Sequence, residues 1–155
     1  MKGILTEPLH VLYKDLFTDL ASTAIEAFQA IQLTASYGPG AVLFAEDQMA
    51  SGIFLIQTGR VKLFAPSVDA SSIQARMAGP GEILGVAEAM AASAYRAAAQ
   101  TAEPSRISFI SREDFGYFLS HQRSVAFRLV QLLSSDLSGT LERLRTTLAR
   151  SHWEN

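Results

Sequence analysis

A mainly β domain with flanking helices is the fold class the sequence predicts, on three observations. Between Gln32 and Ser111, short runs of β-forming apolar residues alternate with clusters of Gly, Pro, Ser and Asp, the pattern of a sandwich or barrel. Apolar residues spaced by three and four are confined to the two ends of the chain, which places helices there. The last helical stretch runs without proline from about His121 to Arg150, longer than a small domain can cover. Residues 1–120 are therefore read as the β domain with its N-terminal helices, and 121–155 as a long helix extending beyond it.

Taken in order, Leu16, Phe17, Leu20, Ile25, Phe28 and Ile31 recur at helical spacing and predict two short helices, with Ser22 or Thr23 as the cap between them. The strands follow as LTASY, AVLF, IFLIQ, VKLFA, IQARMA, EILG and RISFIS, separated by GPG, AEDQMASG, TGR, PSVDASS and a second GPG. Gly59 supplies the reversal between IFLIQ and VKLFA, because glycine tolerates the positive φ of a hairpin turn, and the two runs are read as a hairpin. Ser111 ahead of Arg112, Glu113 and Asp114 is a helix start with a serine cap and acids in its first turn. The aromatic residues Phe44, Phe54, Phe64, Phe109, Phe115, Tyr117 and Phe118 lie on apolar faces and are read as core.

On the last helix, Phe127, Val130, Leu133, Leu137, Leu141, Leu144 and Leu148 form one stripe. About 30 residues of helix measure roughly 45 Å, so the overhang needs another surface for its apolar face. A parallel copy of the same helix in a homodimer is the simplest one, with Ser138 and Gly139 allowing close approach. The four-residue step from Leu137 to Leu141 interrupts the heptads and makes the seam imperfect.

A net charge of -2 and a pI near 5.9 argue against a surface that holds nucleic acid or anionic lipid by bulk electrostatics. The absence of cysteine excludes disulfides, iron–sulfur clusters and thiolate zinc. No apolar run approaches the length of a bilayer span, and a cytoplasmic location is expected. His10, His121 and His152 are scattered and none falls in a strand, which speaks against a cupin-type metal enzyme and against a haem pair. Glu113 and Asp114 are adjacent and diverge around their helix, and no GxSxG elbow occurs. No catalytic constellation or metal site emerges.

The segment Gly85–Ala98, GVAEAMAASAYRAA, carries the functional signal. Arg96 is the lone charge between Glu88 and Glu103. A guanidinium fork among alanine N–H groups suits a bound phosphate or carboxylate, and an arginine paired with a nearby acid is the other reading.

The order of helices, strands, alanine-rich insert, short helix and long helix resembles the effector domain of the Crp/Fnr family, the cyclic-nucleotide-binding fold. YGPGAVLFAEDQMASGIFLIQTGRVKLF is similar to the family's opening strands, GPGEILG to the glycine-rich approach to its phosphate-binding cassette, and RISFISREDFGYFL to its last strand and following helix. The resemblance implies a double-stranded β-helix, or jelly roll, followed by a long dimerisation helix. It also implies a ligand site at Gly85, Val86, Glu88, Arg96, Ala97, Ala98 and Thr140, with cAMP or cGMP as the effectors to consider. Gly85 takes the cassette glycine, Arg96 the phosphate-binding arginine and Ala98 the following alanine.

Two positions depart from the family pattern. Val86 stands where a glutamate accepts the ribose 2′-hydroxyl, and Ala97 where a serine or threonine touches the phosphate. Losing both hydrogen bonds costs several kcal/mol, on the order of a thousandfold in affinity. Glu88 is the residue that could replace the missing acid, although on a regular helix it lies about 200 degrees around from Val86. Asp47, where the family usually has a glycine, predicts a different turn. Family members reach DNA through a winged helix-turn-helix after the dimer helix, which this chain does not contain. The resemblance thus implies a regulatory sensor domain for a small anionic effector, with a ligand-free dimerisation module as the alternative and a β-roll enzyme as a more distant one.

Overall fold

The computed structural model describes residues 11–66 and 73–154. In chain order they form β1 (Val11–Leu12), α1 (Tyr13–Phe17), α2 (Ser22–Ala30), β2 (Leu33–Tyr37), β3 (Val42–Phe44), β4 (Gly52–Thr58), β5 (Val61–Pro66), β6 (Ile73–Ala78) and β7 (Glu82–Leu84). Then come α3 (Val86–Ala91), β8 (Ala98–Thr101), β9 (Ser105–Ser111), α4 (Arg112–His121) and α5 (Arg123–Glu154). The strands build two antiparallel sheets, β1-β7-β4-β9-β2 and β3-β8-β5-β6, closed over a core of Ile53, Ile56, Val61, Leu63, Ile83, Ala99, Ile107 and Ile110. This is the mainly β roll with flanking helices and a long C-terminal helix that the sequence predicts.

The expected hairpin is absent. β4 pairs with β7 and β9, whereas β5 pairs with β6 and β8, so the Thr58–Arg60 turn carries the chain from one sheet to the other. Gly59 has the anticipated positive φ of 97, and a Cβ there would stand 2.5 Å from Ser105 Cβ. A glycine between two apolar runs reports a sharp turn but not which strands then pair, since those partners lie far away in sequence. Two strands also escape the pattern: β1, only two residues long, and β8, whose Ala-Ala-Gln-Thr has little β propensity and is held because it lies between β3 and β5.

At the helical end, α2 begins after Ala21 with no side-chain cap, so neither Ser22 nor Thr23 has the expected capping role. Burial substitutes for the cap. Phe28 is fully buried, 4.8 Å from the Phe17 ring and 5.3 Å from Phe118, and this aromatic cluster joins α1, α2 and α4. Two of the expected core aromatics lie outside the core: Phe64 is half-buried on the face of β5 opposite Val61, Leu63 and Ala65, with Lys62 Nζ 5.1 Å from its ring, and the other is Tyr117. It faces outward at 68% exposure and lies against His121, 4.2 Å between ring centroids, because Phe115, Phe118 and Leu119 take the inner face of α4.

Ser111 does cap α4, its Oγ accepting the Asp114 N–H at 3.1 Å. Ser111→Ala should lower stability by about 1 kcal/mol, with Ser111→Asp restoring most of it; a urea midpoint unchanged in the alanine variant would contradict a working cap.

α5 is anchored on the domain by Val125 and Leu129, both buried, and by partly buried Ala126, Leu132 and Leu133. The remaining stripe is uncovered: Phe127, Val130, Leu137, Leu141 and Leu148 are each about half exposed or more. Among the described residues, no helix is long and apolar enough to cross a membrane.

Candidate functional site

α3 is a helix of six residues bracketed by left-handed backbone, Gly85 at φ 84 and Ala92 at φ 54. Gly85 is required twice over, by that φ and by space, because a Cβ would lie 2.9 Å from Tyr95 Cε1 and 3.3 Å from Gly52 O. Tyr95 fixes the cassette from beneath. Its ring is buried and stacks on Phe44 at 4.0 Å, and its hydroxyl donates to Gly52 O at 2.7 Å while accepting from Gly52 N at 3.3 Å. Asp47 donates its N–H to Tyr95 O at 3.0 Å and adopts φ 70. The turn therefore keeps the left-handed conformation that a glycine would take, and the different turn expected from Asp47 is not needed. On the far side, Arg112 donates from Nε to Ala89 O at 2.8 Å, so this residue, read from sequence as a solvated helix start, ties α3 to α4.

Gly85, Val86, Glu88 and Ala97 meet around one cavity, together with Phe44, Leu63, Leu84, Ala87 and Arg76. Val86 is buried, as its side chain requires. Glu88 also reaches this cavity despite the helical angle between the two, because α3 is enclosed on several sides and Glu88, Val86 and Ala89 are all buried. The Glu88 Oε2 accepts the Arg96 backbone N–H at 3.3 Å, joining the start of the cassette to its end. Ala98 opens β8 and, with Arg96, stands outside the lining. The Arg96 side chain is exposed and has no hydrogen-bond or ion-pair partner among the described residues. Of its two sequence readings, the acid-paired one therefore has no counterpart among the described residues. Thr140 lies in α5, but its side chain is outside the described set, as is that of Trp153.

Sequence reasoning passes over Arg76. It lies opposite Leu63 in the β5–β6 register, and cross-strand partners share a face, so it enters the same cavity. Its Nη1 donates to Glu82 Oε2 at 3.1 Å, and Glu82 Oε1 accepts the Gly79 N–H at 3.2 Å. The available signal was a single charge within the otherwise uncharged IQARMA. The cavity has a volume of about 20 Å³, room for roughly one water, against several hundred for a typical ligand pocket. A larger cavity of about 310 Å³ lies at the other side of β4, lined by Tyr13, Gln29, Gln32, Leu55, Ile56, Gln57 and Gly81. It holds no charged side chain, and burial pushes the Tyr13 hydroxyl above its ordinary pKa. The smaller one holds the charged side chains, Arg76 and Glu88, beside the positive-φ Gly85, while Arg96 stands outside its lining.

The seventh and eighth strands of the roll are linked by a short helical cassette, beside which the Arg96 side chain is exposed and unpaired among the described residues. Residues 34–122 match the cyclic nucleotide-binding domain family, and the chain belongs to that family. Its fold is that of Crp/Fnr-type effector domains. The Thermus thermophilus catabolite activator protein superimposes with a TM-score of 0.77 at 22% identity, over 86% of this chain and 62% of that protein. The N-terminal domain of a Streptomyces coelicolor A3(2) transcriptional regulator gives 0.68 at 20% identity, over 81% of this chain and 90% of that one. The sensor domain of the transcriptional regulator DNR from Pseudomonas aeruginosa gives 0.70 at 19% identity, over 83% and 86%. This chain thus spans under two thirds of the Thermus protein's length. No protein of curated function matches it in sequence.

Proposed function

We propose that this chain is the sensor domain of a Crp/Fnr-type regulator, binding a small anionic effector at the α3 cassette and relaying its presence through a homodimer of α5 helices. The observation that carries the reading is Arg96, an exposed guanidinium with no partner among the described residues, beside a cassette whose glycine, helix and following alanine are in place. The bare stripe Val130, Leu137, Leu141 and Leu148 supports the dimer, whereas Leu133 packs on its own domain and Leu144 is half-buried. Coupling follows if the two arrangements of the paired helices bind the effector with different affinity. Any DNA contact would need a helix-turn-helix, the cytoplasm is the corresponding location, and the role is regulatory and not enzymatic.

Calorimetric titration with cAMP and cGMP tests the nucleotide form of this reading. Because Val86 and Ala97 lack two of the polar contacts that the family pattern provides, binding should be weak. Arg96→Ala should reduce it a further ten- to a hundredfold, the value of a charge-assisted hydrogen bond. Absence of heat and of thermal shift at millimolar ligand would remove both cyclic nucleotides. The small cavity favours a second reading, a ligand-free dimerisation module; it predicts that Arg96→Ala leaves every regulatory output intact.

A further inference from the structure

We propose that the cleft between the α1–α2 pair and β4 is a second ligand site, one that takes a small uncharged cyclic amide. The inference does not rest on the cassette, whose cavity shares no lining residue with this cleft.

Size and charge define the class first. The cleft measures about 310 Å³, at the lower end of small-molecule sites, and suits a body of one or two rings. None of its lining side chains is charged, so an ion entering it would leave water with no counter-charge to meet it. The walls offer carboxamides and a phenol instead, from Gln29, Gln32, Gln57 and Tyr13. Leu55 and Ile56, both buried, supply the apolar floor.

Gln57 is aimed by an irregularity in β4. The register with β9 passes from Ile56↔Ile107 to Thr58↔Arg106, so Gln57 is the extra residue of a β-bulge, a device that redirects a side chain. Its Nε2 donates to Gln32 Oε1 at 3.3 Å and to Ser108 Oγ at 3.0 Å. Ser108 is fully buried and bonds in turn to Thr34 Oγ1 at 2.7 Å. Both Gln57 amide hydrogens are thereby committed, the carboxamide is fixed, and its Oε1 stays an open acceptor. Gln32 Nε2 stays an open donor. The Gln29 carboxamide and the Tyr13 hydroxyl have no hydrogen-bond partner among the described residues. The walls are also pinned to one another through the backbone, Tyr13 N–H donating to Gly81 O at 2.7 Å and Gly81 N–H to Ile56 O at 2.8 Å, so the cleft is formed before a ligand arrives.

A ligand here has to meet an acceptor and donors together. One amide does so, its N–H toward Gln57 Oε1 and its C=O toward Gln32 Nε2. A ring holding two amides presents a second such group to Gln29 and Tyr13. An ester or ether supplies acceptors only and leaves Gln57 Oε1 unmet.

Titration of the ¹⁵N-labelled chain with glycine anhydride, a six-membered ring of two amides, tests the assignment against sarcosine anhydride, the same ring with methyl groups in place of both N–H hydrogens. Glycine anhydride should shift the amides of Tyr13, Gln32, Gln57 and Gly81 and should bind at least tenfold more tightly than its methylated form, the worth of a hydrogen bond or two. Gln57→Leu should erase that preference, and Gln29→Leu, at an exposed position on α2, should weaken binding several-fold. Thermal melts establish that both variants fold, and Gln29→Leu decides the matter if Gln57→Leu does not. Arg96→Ala should leave the titration unchanged, which separates this site from the cassette. No shift at about 50 mM glycine anhydride, equal binding of the two rings, a preference that survives Gln57→Leu, or shifts confined to Gly85 and Ala97 would each overturn the inference.

Discussion

Tyr95→Ala is expected to destabilise the chain by about 3–5 kcal/mol, the range for deleting a buried aromatic ring, and to loosen the cassette before the rest of the roll. Three supports depend on this one side chain: the stack on Phe44, the two hydrogen bonds to the Gly52 peptide, and the surface against which Gly85 turns. Truncation leaves a ring-sized void and removes the partner of a buried backbone group together. Tyr95→Phe separates the two effects. It keeps the ring and should cost only about 1–2 kcal/mol, the value of a lost buried hydrogen bond. Urea unfolding gives both numbers. A loss below about 1 kcal/mol for the alanine variant would show that the cassette does not rest on this ring.

In the proposed homodimer, Leu137→Lys combined with Leu141→Lys should leave a monomer, weakening association by at least about four orders of magnitude. The two residues are one helical turn apart, on one face, and are 58% and 49% exposed in the single chain. In a dimer, four leucines would lose contacts worth about 1.5–3 kcal/mol each, and four ammonium groups would meet across the seam. The domain itself should stay folded, because Val125 and Leu129, which dock α5 on the core, are untouched. Analytical ultracentrifugation beside circular dichroism checks both halves, and a double variant that remains dimeric would place the interface elsewhere.

What the sequence conveyed and what it did not follows from how local each signal is. The Ser111 cap, the apolar spacing of α5 and the positive φ at Gly59 are decided within a few residues, and all three are found. The pairing of β4 and β5 depends on which distant strands compete for them, so the same glycine that marks the turn gave no indication that it crosses between sheets. β8 is a strand because of its neighbours, not its alanines. At the cassette, Gly85 and Arg96 were marked by an ordered set of motifs, although Arg96 stands outside the cavity lining, and Glu88 lines it despite a helical spacing that turned it away from Val86. Arg76 was not marked, because it lies on another strand and joins the cassette only through the β5–β6 register. Tyr95 was hidden within the alanine run although it is the residue on which the cassette rests.

The bond from Arg112 Nε to Ala89 O also has a mechanical meaning. It fastens the second half of α3 to the first residue of α4, and α4 leads into α5 across the single residue Gln122. α5, with its 32 residues, is about 48 Å long, so each degree of tilt at its root carries the far end sideways by about 0.8 Å. The fold thereby has the proportions of a lever with a short input arm and a long output arm. In the proposed sensor, an ångström-scale adjustment at α3 would become a displacement several times larger at Leu148, without any element of the roll having to unfold.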